Sequence, residues 1–78
     1  MQKLDLTRLQ EGESGVVMDI QGGYGLTRRL ESLGIRVGKK VTKISSQLIH
    51  GPVTIQIDNS QVAIGFVMAN KILVEKEK

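Results

Sequence analysis

Apolar and polar residues alternate with a period of two in several short stretches of this chain, the signature of strands with one buried face. In "GVVMDIQ", Val16, Met18 and Ile20 alternate with Val17 and Asp19. In "PVTIQI", Val53, Ile55 and Ile57 are predicted inward and Thr54 and Gln56 outward, and Val62 and Ile64 resume the alternation after "DNS". Asp58, Asn59 and Ser60 therefore read as a tight hairpin turn. "KILVE" adds a last strand with Ile72 and Val74 facing in. The stretch "KKVTKISSQLI" is β-prone, but its apolar positions Val41, Ile44, Leu48 and Ile49 change parity, which predicts a bend or bulge in a long strand.

One segment has a helical period instead. Leu26, Leu30 and Leu33 stand at i, i+4 and i+7 and form a narrow apolar stripe that should lie on the sheet. Gly34 is predicted as the left-handed residue closing this helix, with Ile35 making the accompanying apolar contact. Arg28 and Ser32 point away from the stripe, and Arg29 flanks it. A second helical turn is predicted at "GFVMAN", where Phe66, Met68 and Ala69 plug one end. The expected fold is mainly β: a small barrel of about five strands, with a short helix inserted after the first strand and a helical turn before the last. Curling protects edges that an open sheet of this size would expose.

A chain of 78 residues is one domain, spanning 1–78, with a single small core, so function belongs on a surface or in a shallow groove. It has no cysteine, which removes disulfides, thiolate metal sites and cysteine catalysis. No apolar stretch suffices for a signal peptide or a membrane span, and the cytoplasm is the default location. The net charge is +3, but the stretch from Arg28 to Lys43 holds six basic residues (Arg28, Arg29, Arg36, Lys39, Lys40 and Lys43) against one acid, Glu31. It could meet an acidic protein surface, nucleic acid or lipid headgroups, or simply be a solvated face.

Candidate chemistry is sparse. The glycines of "IQGGYGLTRRLESLGI" do not make a phosphate loop, because Gly25 is followed by Leu26 and Thr27 where lysine and a hydroxyl residue are needed. A dinucleotide fingerprint from Gly23 fails at Arg28. Gly22, Gly23 and Gly25 instead suggest a backbone hinge with positive φ between strand and helix, and amides at the helix start could still hold an anion. His50 is the only histidine and lacks partners for an intramolecular metal site, although an intersubunit site stays open. Asp5, Asp19 and Asp58 are scattered without the spacing of paired catalytic carboxylates, and Ser45 and Ser46 have no base nearby in sequence. No catalytic residues, metal ligands or cofactor are expected. With Tyr24 and Phe66 as the only aromatic residues, the stacking platform of a single-strand binder is missing, and no nucleic-acid partner is expected.

The ordered series "LQEGESGVVMDIQGGYGLTRRLESLGIRVGKKV", "GPVTIQI" and "VAIGFVMANKILVE" resembles the FeoA family, small cytoplasmic proteins of bacterial ferrous iron uptake with an SH3-like β-barrel. The resemblance covers nearly the whole chain. Its most specific part runs from Gly22 through Leu26, Arg29, Leu30 and Leu33 to Gly34, Ile35 and Gly38. Gly65 and Met68 depart from it, standing where many relatives carry a charged residue, as does the lone His50 before the Gly-Pro turn. The resemblance implies a non-enzymatic accessory to FeoB, a membrane permease with a cytoplasmic GTPase part, and contact with the membrane only through FeoB. Gly22, Gly23, Tyr24, Arg28, Arg29 and Arg36 are the expected partner-binding residues, because packing does not explain them. An arginine finger toward the GTPase, from Arg28, Arg29 or Arg36, is a weaker expectation. The alternatives are an SH3-like regulatory module related to the C-terminal domains of iron-dependent repressors, and a weak nucleic-acid-binding barrel. No helix-turn-helix precedes the domain, which favours a free-standing FeoA. A homodimer through a barrel edge or the leucine cleft is a further possibility.

Overall fold

Val53, Ile55 and Ile57 are all buried and Thr54 and Gln56 between them are partly exposed, so strict alternation in sequence has become a one-sided strand. The computed structural model describes residues 2–46 and 51–77. Within them the chain forms β1 (Gln2–Asp5), a 3-10 turn (Leu6–Arg8), β2 (Ser14–Ile20), α1 (Tyr24–Ser32), β3 (Lys40–Ser46), β4 (Val53–Ile57), β5 (Ser60–Ile64), α2 (Phe66–Ala69) and β6 (Ile72–Lys76). All pairings are antiparallel, in the order β1-β6-β2-β3-β4-β5.

The mainly β character and both helical insertions agree with the pattern. The strand count and the closure need correction. Among the described residues there are six strands, not about five, because "QKLD" carries one apolar residue, Leu4, and pairs with β6 without an alternating pattern of its own. Among the described residues no rung joins β1 to β5, so the ladder stays open where a closed barrel was expected. The sheet still encloses one core. Leu6, Leu9, Val17, Leu30, Ile35, Val41, Val53, Ile55, Ile57, Ile64, Ala69, Ile72 and Val74 form a single buried cluster drawn from nearly every element.

Two bulges shift the inward set. Val17 lies opposite Val74 and Asp19 opposite Leu73, leaving Met18 as an extra residue on β2. A one-residue slip moves side chains to the other face. Val17 is therefore buried and Met18 exposed, the reverse of simple alternation, while Ile20 returns toward the core. In β3 the shift falls between Lys43 and Ser45, so the parity change at Ile44 does mark a bulge. It is Lys43 that points inward, however, and Ile44 outward. Leu48, Ile49 and His50 lie outside the described residues.

Each strand of the β2–β3 pair is preceded by the same turn. Glu13 N–H donates to Gln10 O (2.9 Å), Gly12 N–H to Lys43 O (2.8 Å) and Lys43 N–H to Glu13 O (2.9 Å). In the second turn Lys39 N–H donates to Arg36 O (3.1 Å), Gly38 N–H to Val17 O (2.8 Å) and Val17 N–H to Lys39 O (2.9 Å). Gly12 and Gly38 hold φ of 88° and 94°, the left-handed conformation that suits glycine at the third position of such a turn and the first of a bulge.

Lys43 is the one buried charged residue among those described, at 3 % exposure. Its ammonium donates to the carbonyls of Thr7 (3.0 Å) and Leu9 (2.5 Å) at the end of the 3-10 turn, where free carbonyls favour a cation. Burial pulls its pKa below the ordinary 10.5, while the charges of Glu11, Asp5 and Glu13 act in the opposite direction.

Helix α1 ends as its sequence predicts. Gly34 N–H donates to Glu31 O and Ile35 N–H to Leu30 O, both at 2.9 Å, which is the Schellman arrangement, and Leu30 and Ile35 are both fully buried beside it. Gly34 has φ 92° with nothing within 4 Å of a Cβ added there, so only backbone conformation opposes a side chain. Gly34→Ala should lower stability by about 1–2 kcal/mol, read as a lower urea midpoint with unchanged slope. A neutral effect would mean that the cap does not hold in solution.

Candidate functional site

The residues singled out for partner binding lie on or beside α1, and the path into that helix places them. Gln21 N–H donates to Lys71 O at 2.7 Å and Gly22 N–H to Ile20 O at 3.1 Å, turning the chain off β2. Gly23 is the N-cap in extended conformation (φ −71°), without a side-chain cap, and its carbonyl accepts from Thr27 N–H at 3.1 Å. The expected positive φ is absent from Gly22, Gly23 and Gly25. What Gly22 contributes is room: a Cβ there would stand 2.3 Å from Leu26 Cδ2, a terminal methyl that would have to turn away, so the missing side chain lets Leu26 fold back toward the turn.

The leucine stripe is shorter than its spacing implies. Leu30 is fully buried and Leu26 half-buried, but Leu33 is 41 % exposed. Leu33 is the C-cap residue, with φ −91° and ψ 0°, and the departure from helical geometry there hands its core position to Ile35. Opposite Leu30, Tyr24 is 77 % exposed and the Arg28 guanidinium lies 5.5 Å from its ring centroid, a cation–π pair one helical turn apart. Arg29, next to it in sequence, is exposed as well. Arg36 is exposed past the helix, with Nη2 at 3.5 Å from Glu31 O, a weak contact. Gly22 and Gly23 are exposed as well.

Ion pairing separates the basic residues of this stretch. Lys39 Nζ holds Asp58 Oδ2 at 2.8 Å, Lys40 Nζ lies 3.3 Å from Glu77 Oε1, and Lys43 is buried on carbonyls. Arg28, Arg29 and Arg36 have no carboxylate partner among the described residues. The half-basic window thus reduces to three solvent-facing arginines on one helix and the turn after it.

A separate groove is lined by Lys3, Asp5, Arg8, Glu13, Leu73 and Lys76, and each of its two carboxylates is engaged by neighbouring groups. Asp5 accepts from Thr7 N–H (2.9 Å) and lies 3.7 Å from Arg8 Nε. Glu13 meets Lys76 Nζ at 2.5 Å and accepts from Gln10 N–H at 2.8 Å, and these partners hold its pKa below the usual 4.5. Among the described residues no three His, Asp or Glu side chains gather into a metal-binding group. Among the same residues no helix is long and apolar enough to cross a membrane.

Set beside known proteins, the open six-stranded sheet with its two helical insertions has clear counterparts. The FeoA domain matches residues 4–76. The chain belongs to the FeoA family. It is 44 % identical over 66 residues to an Fe(2+) transport protein A of Methanocaldococcus jannaschii, covering 85 % of this chain and 78 % of that protein. The crystal structure of an iron uptake regulatory protein, FeoA, superposes with a TM-score of 0.89 at 27 % identity, covering 99 % of this chain and all of the other. A manganese-dependent transcriptional repressor superposes with a TM-score of 0.87 at 22 % identity; 96 % of this chain matches 42 % of the repressor, a likeness of fold. The expected SH3-like fold and the resemblance to FeoA are thereby borne out.

Sequence reasoning missed part of the surface of this FeoA-family chain. Leu33 and Val37 are exposed apolar residues close in sequence to the arginines, Val37 at 62 %, and Met18 is a further exposed apolar residue on β2. A signal was present for Val37, which stands inside the "RVGK" turn whose glycine marks a reversal at the surface. Met18 was hidden by the bulge and Leu33 by the cap.

Proposed function

We propose that this chain is an accessory of ferrous iron uptake that docks on the permease FeoB through the outer face of α1 and the turn that follows. Family membership supplies the transport context. What supports this surface is the ion-pair pattern: Arg28, Arg29 and Arg36 are the exposed cations of the basic stretch that no carboxylate of the described chain neutralises. Tyr24 beside Arg28 adds an aromatic group that the core does not use. Tyrosine and arginine are the residue types that most often anchor protein interfaces, and unpaired arginines suit an acidic counterpart.

Co-purification with FeoB tests the assignment. Arg28→Glu reverses a charge on an exposed helical position and should leave the fold intact while weakening FeoB binding by about tenfold or more, increasingly so at low salt. Normal binding by the folded variant would show that the docking surface lies elsewhere.

A further inference from the structure

The open ladder leaves β5 as an edge, and its groups point to a specific occupant. Ile57 and Ser60 close a two-residue loop, Asp58-Asn59, with positive φ at Asp58. In such a hairpin the closing pair is hydrogen-bonded and bonded pairs then alternate. The bonded pairs are therefore Ile57 with Ser60, Ile55 with Val62, and Val53 with Ile64. Gln61 and Ala63 direct their N–H and C=O groups away from β4, and both residues are exposed. Among the described residues no backbone hydrogen bond reaches that side.

Exposed edges are usually blocked by charge, proline, a bulge or a cover. The other edge, β1, carries Lys3 and Asp5. β5 reads "SQVAI", with no charge and no proline, and its pairing with β4 has no register shift, unlike those of β2 with β6 and β3 with β4. At the hairpin tip Asp58 is already matched by Lys39. We propose that β5 pairs antiparallel with β5 of a second copy of this chain, about a two-fold axis at Val62. Gln61 of each copy then exchanges both backbone hydrogen bonds with Ala63 of the other. The paired strands bring no charge together, which matters for a chain of net charge +3, and the two-fold arrangement closes at a dimer. Pairing β5 onto β1 of another copy would instead set an uncharged strand against Lys3 and Asp5 and leave free edges for continued growth. Five residues a side fall well short of the roughly 800 Å² per partner of a standard interface, so the dimer is transient and exchanging.

Backbone amide NMR of the full chain from micromolar to millimolar concentration reads this directly. The expected result is concentration-dependent shifts centred on the Gln61 and Ala63 amides, with translational diffusion slowing toward that of a dimer. Ala63→Pro removes one outward N–H and no bond of the β4–β5 ladder, so it should abolish both effects while the Val62 and Ile64 amides stay protected from exchange. Should that variant fail to fold, Ala63→Lys keeps the N–H and places like charges in the paired strands, and should weaken association several-fold. A chain that stays monomeric at millimolar concentration, shifts confined to another surface, or association unchanged in the folded variant would each overturn the proposal.

Discussion

Leu30→Ala is expected to remove about 3 kcal/mol of stability, while Leu33→Ala, three residues along the same apparent stripe, changes it by less than about 0.5 kcal/mol. Leu30 has no exposed surface and is the α1 residue wholly inside the core, whereas Leu33 is 41 % exposed at the C-cap. Truncating Leu30 loses the transfer free energy of the side chain and leaves a cavity under a helix of nine residues. A helix that short depends on docking for its stability. Domains of this size have only about 5–10 kcal/mol in total, so the melting temperature should fall by roughly 15 °C. Thermal and urea unfolding of the two variants provide the check. Equal losses would mean that the helix extends through Leu33 and buries both residues.

Lys43→Met should cost about 2 kcal/mol at neutral pH, although it removes a buried charge. The gain from no longer burying an ammonium is outweighed because the Thr7 and Leu9 carbonyls, which now accept from Lys43, would be left without a donor in a buried setting. The pH dependence carries a definite sign. Lys43 has its pKa lowered on folding from an ordinary 10.5, so between those two values the unfolded chain binds more protons and stability rises with pH. Below the lowered value both states are protonated and the burial cost is present in full. The stability gap between wild type and Lys43→Met should therefore widen as pH climbs toward 10.5. Denaturant curves for both proteins at neutral and alkaline pH test this. A variant as stable as wild type, or a gap that narrows, would contradict the arrangement described.

How legible each element was depended on whether its register was interrupted. β4, β5 and β6 followed from alternation because no bulge breaks the inward series Val53, Ile55 and Ile57, and Ile72 and Val74 likewise stand two apart. The end of α1 followed from chemistry that acts within five residues, a glycine with positive φ and an apolar neighbour. β2 misled because Val17 and Met18 are equally apolar, and only the partner strand determines which one is the extra residue. Lys43 misled for a related reason. Lysine on a strand reads as outward unless its acceptors are known, and those acceptors, at Thr7 and Leu9, are more than thirty positions away. The candidate surface was half legible. Tyr24 and the arginines stood out because the leucines accounted for the core, but the neutralisation of Lys39 by Asp58 across nineteen residues was not readable from local composition.

The paired turns at Gly12 and Gly38 relate two segments, residues 9–18 and 35–44, by a local pseudo-dyad. A shift of twenty-six residues takes Gln10 to Arg36, Gly12 to Gly38, Glu13 to Lys39, Val17 to Lys43 and the extra residue Met18 to Ile44. The buried Leu9 maps on to the buried Ile35. Each turn takes two of its three hydrogen bonds from the opposite segment, so neither is complete until β2 and β3 have met. The motif is thus a single long-range cooperative unit in place of two local turns. The same backbone also accepts valine in one copy and lysine in the other, and what differs is only what lies beneath: hydrocarbon under Val17, carbonyl oxygens under Lys43.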